Sequence, residues 1–205
     1  MKTLAALDCS KSPGVDCLHN RVLKECASTL VRPLTFIFNL SLQSATFPCR
    51  WKSAIIQPIF KNRGDRSSPS SYRPIALLSA VSKVLERLER EQLLEHCFAV
   101  NAIPACQFGF LPKRSIIWQL LAMLEDWEDA LDNGNTVHSC FLDVAKAFDR
   151  VDHALLLAKL KSIGVDGVPL SWLTSYLGNR FISTRVDSVC STSLPISSGF
   201  PRAQC

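Results

Sequence analysis

The chain has 205 residues, 47% of them hydrophobic and 20% charged, with a formal net charge of +5. That is ample for a core of one domain, or one and a half. It excludes a membrane span: the longest apolar-rich stretch, Ile116 to Leu124, is far short of the ~20 residues a membrane helix needs. Nor does the opening Met1 to Leu7 reach the length of a signal h-region.

The loop at Ser12-Pro13-Gly14 leads into a helical stretch from about Asn20 to Leu30. A second helix is expected to begin near Pro33, a residue favoured at a first helical position, and to be stopped by Phe47-Pro48. Residues 53–60 alternate loosely and read as a strand, followed by a Gly/Ser/Arg/Asp-rich tip over 62–71. Val81, Val84, Leu85 and Leu88 recur at helical spacing and continue into Leu93 and Leu94. A further periodic helix spans about Ser115 to Leu131, with Ile117, Leu120, Leu121, Leu124 and Leu131 expected inward and Asn133-Gly134 closing it. Residues 138–144 read as a short buried strand. Helices over Ala154–Ile163 and Trp172–Leu177 follow, then strands at Phe181–Val186 and Ser191–Ser197. Helices and short strands interleave irregularly, which argues an α+β fold.

Charge is unevenly placed. Residues 1–75 carry eleven Lys/Arg against four Asp/Glu, whereas residues 76–205 carry twelve against fourteen. Arg50, Lys52, Lys61, Arg63, Arg66 and Arg73 crowd a short span with Asp65 alone against them. Such a cluster suits phosphate contact, and equally a solvated loop. The nine cysteines form no C-x-x-C pair and the four histidines are scattered, so neither a disulfide framework nor a zinc site has ligands to build on. Reduced cysteines point to the cytoplasm or nucleus.

The densest chemistry lies in Phe141-Leu142-Asp143-Val144-Ala145-Lys146-Ala147-Phe148-Asp149. A carboxylate at the C-terminal end of a strand projects from a rigid element and suits Mg²⁺, which takes one or two carboxylates together with substrate phosphates. Read alone, Asp143 is more simply a cap for the next helix, and Phe148 reads as a core aromatic. Asp149, six residues on, does not share the direction of Asp143 and reads as structural, pairing with a base or helping to cap the helix.

These nine residues resemble the first palm motif of reverse transcriptases from LINE-type (non-LTR) retrotransposons, F-L-D-x-x-K-A-F-D. Further segments stand in the same family's order. Upstream are Phe47-Pro48-Cys49-Arg50-Trp51-Lys52-Ser53-Ala54, Pro58-Ile59-Phe60-Lys61, Ser71-Tyr72-Arg73-Pro74-Ile75-Ala76-Leu77-Leu78-Ser79 and Gln107-Phe108-Gly109-Phe110. Downstream are Ser171-Trp172-Leu173-Thr174-Ser175-Tyr176-Leu177-Gly178-Asn179-Arg180 and Ser198-Gly199-Phe200-Pro201. Lys11 to Asp16 echoes the loop that opens the region, with Val15 replacing the usual Pro.

The resemblance implies a right-hand polymerase: an N-terminal helical extension over 1–45, fingers over 46–135 and an incomplete palm over 136–205. It implies RNA-directed DNA synthesis on an RNA template with a DNA primer, dNTP and Mg²⁺. Asp143 matches the first metal ligand, and the Val144 carbonyl would add an oxygen to the same ion. Phe148 matches the bulky residue beneath the incoming sugar. Lys61 and Arg73 match the cations that grip the triphosphate, Lys as a point charge and Arg as a bidentate fork. Arg63, Gln107, Lys113 and Arg114 fall where template contacts are expected; exposed charge beside a helix start explains Lys113 and Arg114 as well.

Two departures matter. Arg202-Ala203 stand where the second palm motif has Gln-Gly, and no Tyr- or Phe-Ala-Asp-Asp occurs in these residues. With one of three metal ligands, the chain alone is expected to be inactive: a fragment of a longer polymerase, a non-catalytic nucleic-acid-binding remnant, or a relic. Poor solubility and low cooperativity are expected with it.

Overall fold

The computed structural model describes residues 1–199; Phe200, Pro201, Arg202 and Ala203 of the second palm motif lie outside them. Its helices are α1 (Lys2–Ala5), α2 (Asn20–Glu25), α3 (Ala27–Gln43), α4 (Ala80–Ala99), α5 (Ile116–Asp132), α6 (His153–Ser162) and α7 (Gly167–Leu177). Its strands are β1 (Ser53–Phe60), β2 (Tyr72–Leu77), β3 (Arg180–Val186), β4 (Val189–Cys190) and β5 (Leu194–Ile196). The mixture is α+β. The chain forms two compact units, one of residues 1–92 with 146 onward, the other Leu93–Ala145.

The first unit holds the sheet, in the order β2-β1-β3-β4, with β5 also paired to β3. β1 and β2 form an antiparallel hairpin with Ile56 opposite Ala76 and Phe60 opposite Tyr72. β1 runs parallel to β3, with Ala54 opposite Ile182. Opposed residues share a sheet face. Ala54, Ala76 and Leu78 are therefore buried together, with Ile56 and Ile182 packed against them. The strand expected at 53–60 forms as read. The two strands expected after it in the C-terminal region resolve into long β3 and the short pieces β4 and β5.

The larger apolar cluster joins Leu23, Ala27, Leu34 and Phe38 to Phe47, Val84, Leu85 and Trp172. Phe47 is its hub: its ring meets Trp51, Trp172 and Tyr176 edge-on at centroid distances of 5.0–5.8 Å. The Trp172 indole N–H donates to Ser41 Oγ at 2.9 Å, and the Ser41 hydroxyl donates to the Thr46 carbonyl at 2.7 Å. Both polar groups are thus satisfied inside the core. Gly14 lies so close to the Leu78 carbonyl that a Cβ has no room, which explains the glycine in the opening loop.

Several expectations are corrected. Pro33 does not start a helix; it lies inside α3, and the break falls at Cys26 instead. Pro33 costs α3 one backbone bond, but Leu34 and Phe38 anchor the following turns in the core, and burial outweighs the lost bond. α3 ends at Gln43, before Phe47-Pro48, with Ala45 in the left-handed region and the Thr46 N–H closing on the Ser41 carbonyl at 2.9 Å. The cap of α6 is Asp152, whose side chain accepts from the Leu155 N–H at 3.0 Å, not Asp149.

In the second unit, α5 forms where expected, with Ser115 accepting from the Ile117 N–H at 3.1 Å. Its apolar residues do not face inward, however. Ile117, Leu120, Leu121, Leu124 and Leu131 are all exposed. Nor do residues 138–144 form a strand; they run without regular structure, and Leu142 is 91% exposed. A strand requires a neighbour to take its backbone donors and acceptors, and none of the described strands pairs with this segment.

Candidate functional site

The β1–β2 hairpin positions the strongest cationic candidates. Its ladder continues past Phe60, with the Lys61 N–H donating to the Ser71 carbonyl at 2.9 Å, while Ile59 stands opposite Arg73. Residues 59 and 61 lie on one face, as do 71 and 73, so Lys61 and Arg73 are diagonal neighbours on the same face. It is the face opposite to the buried Ala54–Ala76 layer. The Lys61 ammonium donates to the Ser70 carbonyl at 2.7 Å, and Arg73 is exposed.

The loop between the strands is built rather than slack. Asn62 and Gly64 take positive φ, and the Ser67 N–H donates to Asp65 Oδ1 at 2.9 Å, while its hydroxyl donates to Oδ2. Those two bonds hold the Asp65 carboxyl below its ordinary pKa. The Tyr72 hydroxyl donates to the Arg66 carbonyl at 2.9 Å, and the Arg66 guanidinium lies 5.2 Å from the centroid of the Phe60 ring. Arg66 is thereby committed to its own hairpin, whereas Arg63 is an exposed loop cation.

The first palm motif is divided between the two units. Asp143 and Val144 are exposed members of the second. Phe148, 38% exposed, sits in the first, on a short 3-10 turn of Ala147–Arg150 entered through a left-handed Lys146. That turn is clasped by the start of the second motif. The Gly199 N–H donates to the Val151 carbonyl at 2.8 Å, Ser198 Oγ donates to the Asp149 carbonyl at 3.2 Å, and His153 Nε2 lies 2.6 Å from the Gly199 carbonyl. Gly199 has φ +65°, and a Cβ there would stand 2.5 Å from the Phe148 carbonyl oxygen. Only glycine fits.

Within the second unit, Gln107 and Arg114 are brought together. The Arg114 guanidinium donates to the carbonyls of Gln107 at 2.5 Å, Ala105 at 2.7 Å and Pro104 at 3.3 Å, and lies 5.9 Å from the Phe108 ring centroid. Arg114 therefore staples the loop ahead of α5. Neighbouring Lys113 is exposed, with φ +61°.

Sequence reasoning gave no role to Arg180, which is 1% exposed at the start of β3. Nη1 donates to the Tyr176 carbonyl at 2.8 Å, and the guanidinium stacks over Tyr176 at 4.6 Å and Phe47 at 5.6 Å. Among the described residues, Nε and Nη2 have no acceptor. Burial raises the Tyr176 phenol to about 12. Burial and then Arg180 lower the Lys52 ammonium. The aromatic spacing of Trp172 and Tyr176 was visible in the sequence; the cation they enclose was not.

Among the described residues no group of three or more His, Cys, Asp or Glu side chains could hold a metal ion. Asp143 alone is one carboxylate where polymerase chemistry requires a set. Among the same residues no helix is long and apolar enough to cross a membrane.

A sequence profile of the reverse transcriptase (RNA-dependent DNA polymerase) family matches residues 59–202, and the chain belongs to that family. It is 35% identical over 94% of its length to a probable RNA-directed DNA polymerase from transposon X-element of Drosophila melanogaster. It is also 35% identical over 97% of its length to the RNA-directed DNA polymerase from mobile element jockey, and 33% identical over 98% to a probable RNA-directed DNA polymerase from transposon BS, both of the same fly. The chain covers 21%, 22% and 22% of their respective lengths, about a fifth.

Proposed function

We propose that this chain is the nucleotide- and template-gripping portion of an RNA-directed DNA polymerase, the remaining catalytic ligands lying outside its 205 residues. The observation that carries the reading is the placement of Lys61 and Arg73 as diagonal neighbours on one face of a hairpin, in a chain of this family. Two adjacent cations, one a compact ammonium and the other a planar fork, suit a triphosphate. In functional terms residues 1–45 are an N-terminal extension, 46–135 fingers and 136–205 the first part of a palm. These are regions of use, distinct from the two compaction units. Asp143 and the Val144 carbonyl would help hold a Mg²⁺ ion whose remaining carboxylates come from elsewhere, the ion supplying charge stabilisation for phosphoryl transfer, and Phe148 is the residue beneath the incoming sugar. Arg63, Gln107 and Lys113 contact an RNA template. Arg114 contributes by holding the Gln107 loop in shape.

The test is binding of a fluorescent dNTP to the 205-residue chain. Lys61→Gln and Arg73→Gln are each expected to weaken it at least severalfold; binding equal to the parent's would remove the assignment. In primer extension on an RNA template with Mg²⁺, the chain is expected to incorporate nothing. Incorporation that Asp143→Ala abolishes would overturn that.

A further inference from the structure

Arg180 opens β3 and shares a sheet face with Ile182, which packs against the buried Ala54–Ala76 layer. Among the described residues it is the largest fully buried side chain. Its charge is met only in part. The Tyr176 and Phe47 rings attract it, and the Tyr176 carbonyl takes Nη1. Nε and Nη2 are the two nitrogens whose N–H bonds run parallel along one edge of the guanidinium, and among the described residues neither finds an acceptor. That edge is the one a carboxylate takes with both oxygens at once. A buried donor left empty carries its full desolvation cost, and the cost is larger for a charged group.

A second cation stands beside the first. Lys52 lies directly ahead of β1, where its carbonyl accepts from the Phe181 N–H at 3.0 Å. The backbones carrying the two basic residues are thus joined at this point. Lys52 is half-buried, and burial and then the Arg180 charge hold its ammonium below the ordinary lysine range. Glu86 of α4, the acid whose charge reaches Tyr176, is engaged by another group: its Oε1 accepts from the Ser82 hydroxyl at 2.5 Å. An anion here relieves the repulsion between Lys52 and Arg180 and fills the empty edge at the same time. A water molecule fills the edge but offsets no charge. A phosphodiester carries a sugar on either side, and Nε and Nη2 have almost no accessible surface; a flat carboxylate is the smaller fit.

We propose that the Nε–Nη2 edge of Arg180, with Lys52 beside it, is a binding site for a single carboxylate. The proposal does not rest on the polymerase reading. The carboxylate belongs either to a small free acid or to an acidic side chain, and the test separates the two.

The full 205-residue chain, isotope-labelled for nitrogen NMR, is titrated with sodium formate at constant ionic strength while its arginine Nε–H signals are followed. One signal is expected to move and saturate. It is expected to be the signal missing in Arg180→Lys, which keeps the charge and removes the edge. Lys52→Gln is expected to weaken formate roughly two- to fivefold, the worth of one partly exposed ion pair. A blocked aspartate, N-acetyl-aspartyl-N′-methylamide, forms the second arm. Saturation by both acids assigns the site to acidic side chains, and saturation by formate alone assigns it to small free acids. If no signal moves, water fills the edge and the proposal is overturned. A moving signal that persists in Arg180→Lys puts formate on another arginine and overturns it equally. Should Arg180→Lys fail to fold, Lys52→Gln decides, and unchanged affinity there rejects the site. An equal response to methyl phosphate overturns the assignment to carboxylate.

Discussion

Arg180 and Gly199 show two ways in which a single residue fixes local geometry. Arg180 is a buried cation held by one carbonyl and two aromatic faces. Its neighbour Tyr176 gives a pH signature. The folded phenol titrates near 12, while an unfolded one titrates near ~10. The folded state then binds the extra proton in that interval, so this group's contribution is intact below pH ~10 and is lost as pH rises towards 12. About 2–3 kcal/mol is at stake. Lys52 and Lys83, both lowered by burial, act with the opposite sign. The measurement is therefore the difference between parent and Tyr176→Phe in alkaline unfolding, with the parent expected to lose more stability above pH ~10. Parallel curves would exclude Tyr176 as the source. For Gly199→Ala, strain at φ +65° and the close Phe148 carbonyl are expected to cost about 1–3 kcal/mol and to open the clasp. Faster hydrogen exchange at the Gly199-equivalent amide, whose bond goes to Val151, reports it; unchanged protection would count against the clasp.

At the scale of elements, local chemistry and tertiary burial carry different weight in different helices. α6 is set by its cap. Asp152→Ala is expected to cost about 1 kcal/mol in unfolding free energy, whereas Asp149→Ala is expected to leave the α6 terminus intact. α3 is set by burial, since its apolar stripe carries the helix through Pro33. β2 is set by pairing: its sequence, Tyr72-Arg73-Pro74-Ile75-Ala76-Leu77, contains a proline and reads poorly as a strand, yet Pro74 stands opposite Pro58 at the sheet's edge, where no donor is lost from an inner ladder. The helix periodicities of α4 and α5 were legible because 3.6-residue spacing is written in the chain itself. The nature of the face that α5 presents to its surroundings was not.

For the whole molecule, the unpartnered apolar surface has a consequence in solution. Ile117, Leu121 and Leu124 on α5, with Phe141 and Leu142 beyond it, are exposed side chains of the size that normally builds a core. The purified chain is expected to self-associate with rising concentration, and Leu121→Gln with Leu124→Gln to reduce that association in sedimentation. A monomer at all concentrations would contradict this. The two compact units also predict a broad or two-step thermal transition rather than one sharp one, readable by calorimetry.

The sequence by itself determined the family, the order of the motifs and the identity of Lys61, Arg73, Asp143 and Phe148 as candidates, because motif spacing is a linear property. It also determined the period of each long helix and the turn at 62–71. Tertiary structure alone decided which motif residues meet. It put Lys61 and Arg73 on one face through strand register, joined Arg185 to Gln57 across a parallel pairing, buried Arg180 among rings and latched Gly199 onto the Phe148 turn. It also left 138–144 without strand structure despite a favourable sequence. The reason is the same in each case: pairing, burial and clasping are energies between residues distant along the chain, and a strand or a buried charge exists only when its partner is present.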